Sequence, residues 1–213
     1  LNAQYSRDFK KYELIVNPNE AGARRFKVAP VWKPVELIPR HDGTSVTREV
    51  LRRFMALERK INLPRNNELK EGYHGSFTKN LATGMLQLLG NFDDLKEDFC
   101  NSTLVEGSEQ DFMALAPTHL VVQPKEAHKV GATVDFVKLN SMFSKGENIM
   151  RPIHEKVAEL RAGKHLFALD VSRQYFQIFN QHPMSQCVLY REAPNHILKA
   201  YIHNGLLMGH VSS

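Results

Sequence analysis

Apolar residues recur with two different periods along this chain, and the change falls at Pro117. Before it, Val50, Phe54, Leu57 and Ile61 follow one another at spacings of four, three and four, which is one face of a helix. After it come two short β-rich runs, 119–123 ending at Pro124 and 132–137, with a Lys-, Glu- and Gly-containing connection between them. They read as a hairpin. A helical pattern through Ile149, Ile153, Val157 and Leu160 then closes at Gly163. Three strand-like runs follow, 165–171, 186–191 and 197–202, with Pro194-Asn195 a turn between the last two. Hairpin, helix, strand, hairpin is an α+β order.

The chain ahead of Pro117 divides in two, so the sequence reads as three segments: 1–43, 44–116 and 117–213. The first holds Pro18, Pro30, Pro34 and Pro39 among short apolar stretches such as Phe26-Lys27-Val28 and Val31-Trp32. Proline removes backbone donors, so an extended lead-in is expected here rather than central strands. In the second segment, Thr44 or Ser45 can cap the helix through Val50–Ile61, Arg48, Arg52, Arg53 and Arg59 surround its apolar stripe, and Pro64 ends it. A second helix is expected from Asn67 to Leu89, weakened by Gly72, Gly75 and Gly84. The acidic stretch 93–111 reads as a loop or solvated connection.

Charge follows the same division. Residues 1–65 carry 14 Lys/Arg against 7 Asp/Glu, residues 66–116 carry 3 against 9, and residues 117–213 carry 11 against 7, which points to separate surfaces. The net charge of +5 is compatible with a polyanionic partner. With 42% hydrophobic and 24% charged residues, disordered and collagen-like chains are excluded. No apolar run reaches the ~20 residues that span a bilayer, and residues 1–10 are polar, so neither an anchor nor a signal peptide is expected. Cys100 and Cys187 lie far apart outside any CxxC spacing, which argues for a reducing compartment and against structural zinc. Cys187, in an apolar run, reads as a buried small hydrophobe. The ten histidines form no HExxH pattern, and no GxSxG, Walker or GxGxxG pattern occurs. A chain opening on Leu1 and stopping at Ser213 just after an apolar run is expected to be a fragment.

The chemistry concentrates between Leu166 and Ile178. The run Leu166-Phe167-Ala168-Leu169-Asp170-Val171-Ser172-Arg173-Gln174-Tyr175-Phe176-Gln177-Ile178 delivers one carboxylate at the end of an apolar strand, with an aromatic pair five and six residues on. A carboxylate there is costly to bury alone and should face water, a cation or a base. Mg²⁺ takes one or two carboxylates plus phosphate oxygens and water, and a strand end holds such a ligand rigidly.

This stretch resembles motif A of reverse transcriptases, in which a metal-binding Asp is followed five residues later by an aromatic and then by a Phe-Gln-Ile-like strand. Gly205-Leu206-Leu207-Met208-Gly209-His210-Val211-Ser212-Ser213 resembles the start of motif B, and the runs 119–124 and 134–140 resemble the two strands of the fingers hairpin. The lead-in, through Phe26-Lys27-Val28, Leu51–Arg59 and Leu69-Lys70-Glu71-Gly72-Tyr73, is similar to the polymerase entry of Bel/Pao-type long-terminal-repeat retrotransposon Pol polyproteins. The resemblance implies a partial right-hand polymerase: a fingers hairpin and the first half of a palm behind a basic helical lead-in. It implies RNA-directed DNA synthesis on an RNA or DNA primer–template with deoxynucleotides, inside a cell or a retroelement particle and alongside the rest of the Pol polyprotein, with no membrane.

It also implies roles. Asp170 would bind both Mg²⁺ ions of a two-metal site, and the Val171 carbonyl would complete one shell. The backbone amides of Arg173 and Gln174 would face the triphosphate. Tyr175 would lie under the sugar and exclude a 2′-hydroxyl. Met208 and Gly209 would line the sugar and template side.

Two departures accompany the likeness. The family's remaining carboxylates come from a later Tyr-x-Asp-Asp hairpin, a motif this sequence does not contain, so the chain alone is expected to be inactive. Where the family places an Arg before the second fingers strand, Gly131-Ala132 stands here, with Lys125 and Lys129 the nearest cations. Lysine binds phosphate as a point charge, without the bidentate fork of Arg. A non-catalytic nucleic-acid- or protein-binding module derived from such an element, or a decayed gene piece, are the other readings. A sheet without its final strands would also leave an edge unprotected.

Overall fold

The computed structural model of the protein describes residues 9–16, 24–38, 41–123, 126–144, 153–163 and 178–206. These residues form eight strands and five α-helices, an α+β arrangement. No helix among them is long and apolar enough to cross a membrane.

The lead-in is more regular than its prolines suggest. Strands β1 (Phe9–Val16) and β2 (Arg24–Pro30) pair antiparallel, and β2 pairs on its other side, in parallel, with β6 (Ile178–Asn180). The expected edge-like segment therefore supplies the middle strand of a three-stranded sheet. Pro30 is tolerated because the β6 pairing ends at Val28 and the β1 register shifts beside it, a bulge-like irregularity.

Helix α1 (Gly43–Ile61) begins two or three residues earlier than expected. The cap is Asp42, whose carboxylate accepts the Ser45 N–H at 3.1 Å, rather than Thr44 or Ser45. Val50, Phe54 and Ile61 are buried, while Arg48, Arg52 and Arg59 are exposed. Its end before Pro64 follows the sequence reading.

Helix α2 (Asn67–Ala82) stops seven residues short of Leu89. Thr83 turns its hydroxyl back to the Lys79 carbonyl at 3.0 Å, and Gly84 takes φ +67°, a conformation that ends a helix cheaply only at glycine. The next residues form strand β3 (Leu86–Asn91) instead. The acidic stretch beyond is likewise helical at first, as α3 (Phe92–Asn101). Phe92, Leu95 and Phe99 face inward, and Asp93 and Asp94 occupy the first turn, where negative charge suits the helix dipole. Over its first half, what reads as a solvated connection is the exposed face of a helix; from residue 102 to 111 it is the expected connection, with one short turn at Glu109–Asp111.

The hairpin joins β4 (Thr118–Gln123) and β5 (Glu126–Val134) in antiparallel register. Its second strand lies earlier than the expected 132–137, because Asp135 leaves the ladder: its N–H donates to the Pro117 carbonyl at 2.9 Å, and its carboxylate accepts the Val137 N–H at 3.0 Å. That contact starts the short helix α4 (Val137–Asn140). Helix α5 (Ile153–Ala162) closes near Gly163 as expected, while residues 149–152 of its expected start lie outside the described residues. So does the expected strand 165–171.

Strand β7 (Cys187–Tyr190) and β8 (Lys199–His203) form the expected second hairpin, turned at Pro194-Asn195. With β3 they make a sheet of order β3-β8-β7. One face, carrying Cys187, Leu189, Ala200 and Ile202, packs on Val50 and Phe54 of α1 and Phe92 and Phe99 of α3. The other, carrying Val188, Tyr190 and Tyr201, packs on Tyr73 and Phe77 of α2. Burial on both faces is why these strands read as continuous apolar runs. The outer edge of β7 is met by the chain at Ala114–Ala116: the Cys187 N–H donates to the Ala114 carbonyl at 3.0 Å, and the Ala116 N–H to the Cys187 carbonyl at 2.8 Å. A third apolar cluster around Trp32, Phe112 and Phe143 joins the lead-in to the base of the first hairpin.

Two glycines of these helices should respond oppositely to alanine. A Cβ at Gly43 would stand 2.5 Å from the carbonyl oxygens of Phe99 and Cys100 at the end of α3. One at Gly75, exposed on α2, would meet nothing within 4 Å. Gly43→Ala should lower unfolding stability in urea by about 1–3 kcal/mol, whereas Gly75→Ala should raise it by up to about 1 kcal/mol through helix propensity. Equal responses would contradict this packing.

Candidate functional site

The residues that the motif resemblance singles out, Asp170, Val171, Arg173, Gln174, Tyr175, Met208 and Gly209, all lie outside the described residues. Lys125 lies outside them too. The described structure holds the frame on either side: Ile178, which ends the motif A-like run, and Gly205-Leu206, which begins the motif B-like run.

That frame is a seam. Beyond β8 the chain leaves its own sheet and runs antiparallel beside β6. The Asn180 N–H donates to the Asn204 carbonyl at 2.9 Å, the Leu206 N–H donates to the Ile178 carbonyl at 2.7 Å, and Phe179 bridges Gly205 between them. The Asn204 N–H meanwhile donates to the Met85 carbonyl at 3.0 Å, just before β3. One extended segment thus belongs to both three-stranded sheets.

Polar groups concentrate at this seam although it is buried. Of the eight buried polar or charged residues among those described, five sit here: Asn180, His182, Ser185, Gln186 and His203. Burial of such groups is costly unless hydrogen bonds satisfy them. The Asn180 carboxamide oxygen accepts the His182 N–H at 2.9 Å, and the Ser185 hydroxyl donates to the His182 carbonyl at 2.7 Å. Gln186 Nε2 donates to two carbonyls, His203 at 2.7 Å and Gly205 at 2.9 Å. Burial pushes the His203 imidazole down to about 3, so it stays neutral, and pushes the Cys187 thiol up. Cys187 is fully buried, as its apolar run predicts.

The seam itself offers amides and imidazoles, not the carboxylates that a hard cation such as Mg²⁺ prefers. Among the described residues no group of three or more His, Cys, Asp or Glu could hold a metal ion. The one carboxylate that the resemblance assigns to Mg²⁺, Asp170, lies outside them.

The strongest charges are committed to joining elements. Arg53 of α1 meets Asp135 at 2.9 Å and Glu49 at 3.8 Å, and Lys138 meets Glu49. The Lys138 ammonium holds the Glu49 carboxyl below its usual range, and the Val137 N–H does the same for Asp135. Together these residues rim a cleft of about 200 Å³ with an apolar floor of Val46, Val50 and Leu115. Of the arginines around the α1 stripe, Arg53 is therefore a tie to the hairpin base. Arg48, Arg52 and Arg59 remain a solvated face.

Glu58 and Arg191 are a pair that sequence reasoning passes over. Arg191 Nε and a terminal nitrogen reach the two Glu58 carboxylate oxygens at 2.7 and 2.6 Å, with the side chains only 14% and 11% exposed. The guanidinium also lies 5.9 Å from the Phe54 ring centroid. The signal was present: Glu58 falls on the apolar stripe of α1, four residues after Phe54 and three before Ile61, where an unpaired carboxylate would be costly. Beside it, His74 Nδ1 and the Tyr190 hydroxyl share a hydrogen bond of 2.8 Å.

No protein-family model matches the chain, and no curated protein matches it.

The buried His203 sets a pH dependence. Its folded value near 3 lies below the unfolded imidazole value of about 6.5, so the unfolded chain binds the extra proton. Stability is then full above pH 6.5 and falls as pH drops from there toward 3, by up to about 1.4 kcal/mol per unit. Burial lowers His41 and His74 in the same direction. Urea unfolding at pH 7.5, 6 and 5 should show this slope, and His203→Asn should flatten it by close to one proton. An unchanged slope in the variant would exclude His203 as its source.

Proposed function

We propose that this chain carries the fingers hairpin and the first half of the palm of an RNA-directed DNA polymerase from a retroelement Pol polyprotein of Bel/Pao type. What supports the reading beyond the motifs is the seam between β6 and residues 204–206, with its 2.7 Å and 2.9 Å hydrogen bonds. Two runs that the family brings to one cleft are 25 residues or more apart in sequence, yet the segments adjoining them pair directly.

In this reading Asp170 holds Mg²⁺ with the Val171 carbonyl, and the bound cation supplies charge neutralisation for the triphosphate. The Arg173 and Gln174 amides orient the phosphates, the Tyr175 ring fills the space a 2′-hydroxyl would need, and Met208 with Gly209 borders sugar and template. The remaining carboxylates have to come from a Tyr-x-Asp-Asp segment.

One observation favours a second reading, that of a non-catalytic module binding nucleic acid. At the position where a triphosphate-gripping Arg is expected, Ala132 of β5 packs toward α2, its N–H donating to the Ser76 hydroxyl at 3.5 Å. That site joins a helix to the hairpin instead of presenting a cation.

The two readings part in a polypeptide that joins this chain to a Tyr-x-Asp-Asp segment. Asp170→Asn should lower primer extension by at least about 10³-fold, with template binding held within twofold of the parent. Extension that survives would refute the metal role, and template binding without extension by the parent would favour the non-catalytic module. Tyr175→Ala should raise ribonucleotide over deoxynucleotide incorporation by about tenfold or more. An unchanged ratio would remove Tyr175 from sugar selection.

A further inference from the structure

Strand pairing uses alternate carbonyls of an extended segment, so the groups at 203 and 205 point away from the edge used by 204 and 206. Asn204 and Leu206 face β6. The His203 and Gly205 carbonyls therefore lie on the opposite edge, where β7 has already given way to the turn Pro183–Gln186. The β7–β8 register ends at Cys187–Ile202, so no backbone N–H of β7 continues the ladder there. The Gln186 carboxamide takes that place. Its Nε2 carries two protons and donates to both oxygens, and the residue is fully buried. Two carbonyl acceptors also settle which end of the amide faces them, since an oxygen there would be repelled.

We propose that Gln186 is a positioning residue: its side chain replaces a missing strand and fixes the course of residues 203–206 against β6. The chemical role of that course rests on the polymerase reading, because in sequence the segment leads into Met208 and Gly209 while β6 begins three residues after Tyr175. Gln186 touches no substrate in this scheme. It fixes the described segments, 178–180 and 203–206, that adjoin in sequence the two runs that do.

The clamp itself is testable in the 213-residue chain by site-resolved amide hydrogen exchange. Gln186→Met keeps the bulk and removes both donors. Protection of the Leu206 and Asn180 amides should fall by about tenfold or more, while the β7–β8 ladder stays within twofold of the parent. Gln186→Glu adds a readout that packing alone would not move. Its neutral carboxyl can donate one hydrogen bond, but its anion would face two carbonyls. Protection of Leu206, corrected for intrinsic exchange, should therefore fall as pH rises through that carboxyl's titration, whereas in the parent and Gln186→Met the neutralising imidazoles can only raise it over the same range. Leu206 protection that is unchanged in both variants, or a loss spread equally over β7 and β8, would overturn the proposal.

In the polypeptide completed with a Tyr-x-Asp-Asp segment, Gln186→Met should raise KM for deoxynucleotide by about fivefold or more, with primer–template affinity unchanged. A parent that fails to extend primers while the exchange results hold would sink the polymerase reading and leave the clamp standing. A parent that extends, with KM unmoved in Gln186→Met, would sink the positioning role.

Discussion

Residues 203–206 do the work of two strands, and much of the described fold depends on that sharing. As the end of β8 they belong to the sheet packed between α1 and α3 on one side and α2 on the other. As the partner of β6 they belong to the sheet that holds the lead-in strands. An extended chain has only two edges, and here both are used over four residues: β6 on one, Gln186 on the other. Because Asn180, His203, Gly205 and Leu206 are buried, water is a poor substitute for a bond lost there, and an unsatisfied carbonyl would carry its desolvation cost. That explains why polar residues gather there in an otherwise apolar interior.

The lead-in and the later strands are also joined by charge. Glu58 of α1 and Arg191 at the end of β7 lie 133 residues apart and meet through both carboxylate oxygens. Such a pair is a weak source of net stability, since desolvating two ions offsets most of their attraction. Its effect is on register. A bidentate guanidinium accepts one orientation, so α1 cannot slide along the sheet without stranding a charge. Arg53 with Asp135 repeats the device between α1 and the base of the first hairpin. Helix α1 is thus pinned at two points to elements from the last segment, which makes the basic lead-in an integral part of the packing.

The α+β order was legible because the apolar period changes where the structure changes, at Pro117, and because the strands buried on both faces are continuous apolar runs. The β7–β8 hairpin and its Pro194-Asn195 turn could be read for the same reason. Residues 86–91 could not: Leu86-Gln87-Leu88-Leu89 continues a helical pattern plausibly, and only Gly84 in a positive-φ conformation redirects it. Phe92–Asn101 was hidden by its acidic face, since Asp93, Asp94, Glu97 and Asp98 dominate the composition while three apolar residues carry the packing. Of the candidate site, the motif residues lie beyond what the structure describes. The seam beside them leaves no local signature, because Gln186 and Gly205 act on each other across 19 positions, a spacing no period predicts.

The first hairpin narrows what its arm could do. Strand β5 is held to α2 through Ser76 and through Gly72, whose missing side chain admits Val130. Its base is fixed by the Asp135–Pro117 hydrogen bond and the Arg53 ion pair. On β4, by contrast, Val121 and Val122 are 46% and 40% exposed. A hairpin clamped along one strand and at its root cannot swing as a rigid finger without breaking contacts to α2. In sequence, Lys125 and Lys129 are the cations nearest the junction of the two strands. Lysine charges attract a polyanion over a Debye length but do not orient it. Orientation in this chain would fall to backbone held by the seam, which is why the course of residues 203–206 matters more to the proposed chemistry than the hairpin does.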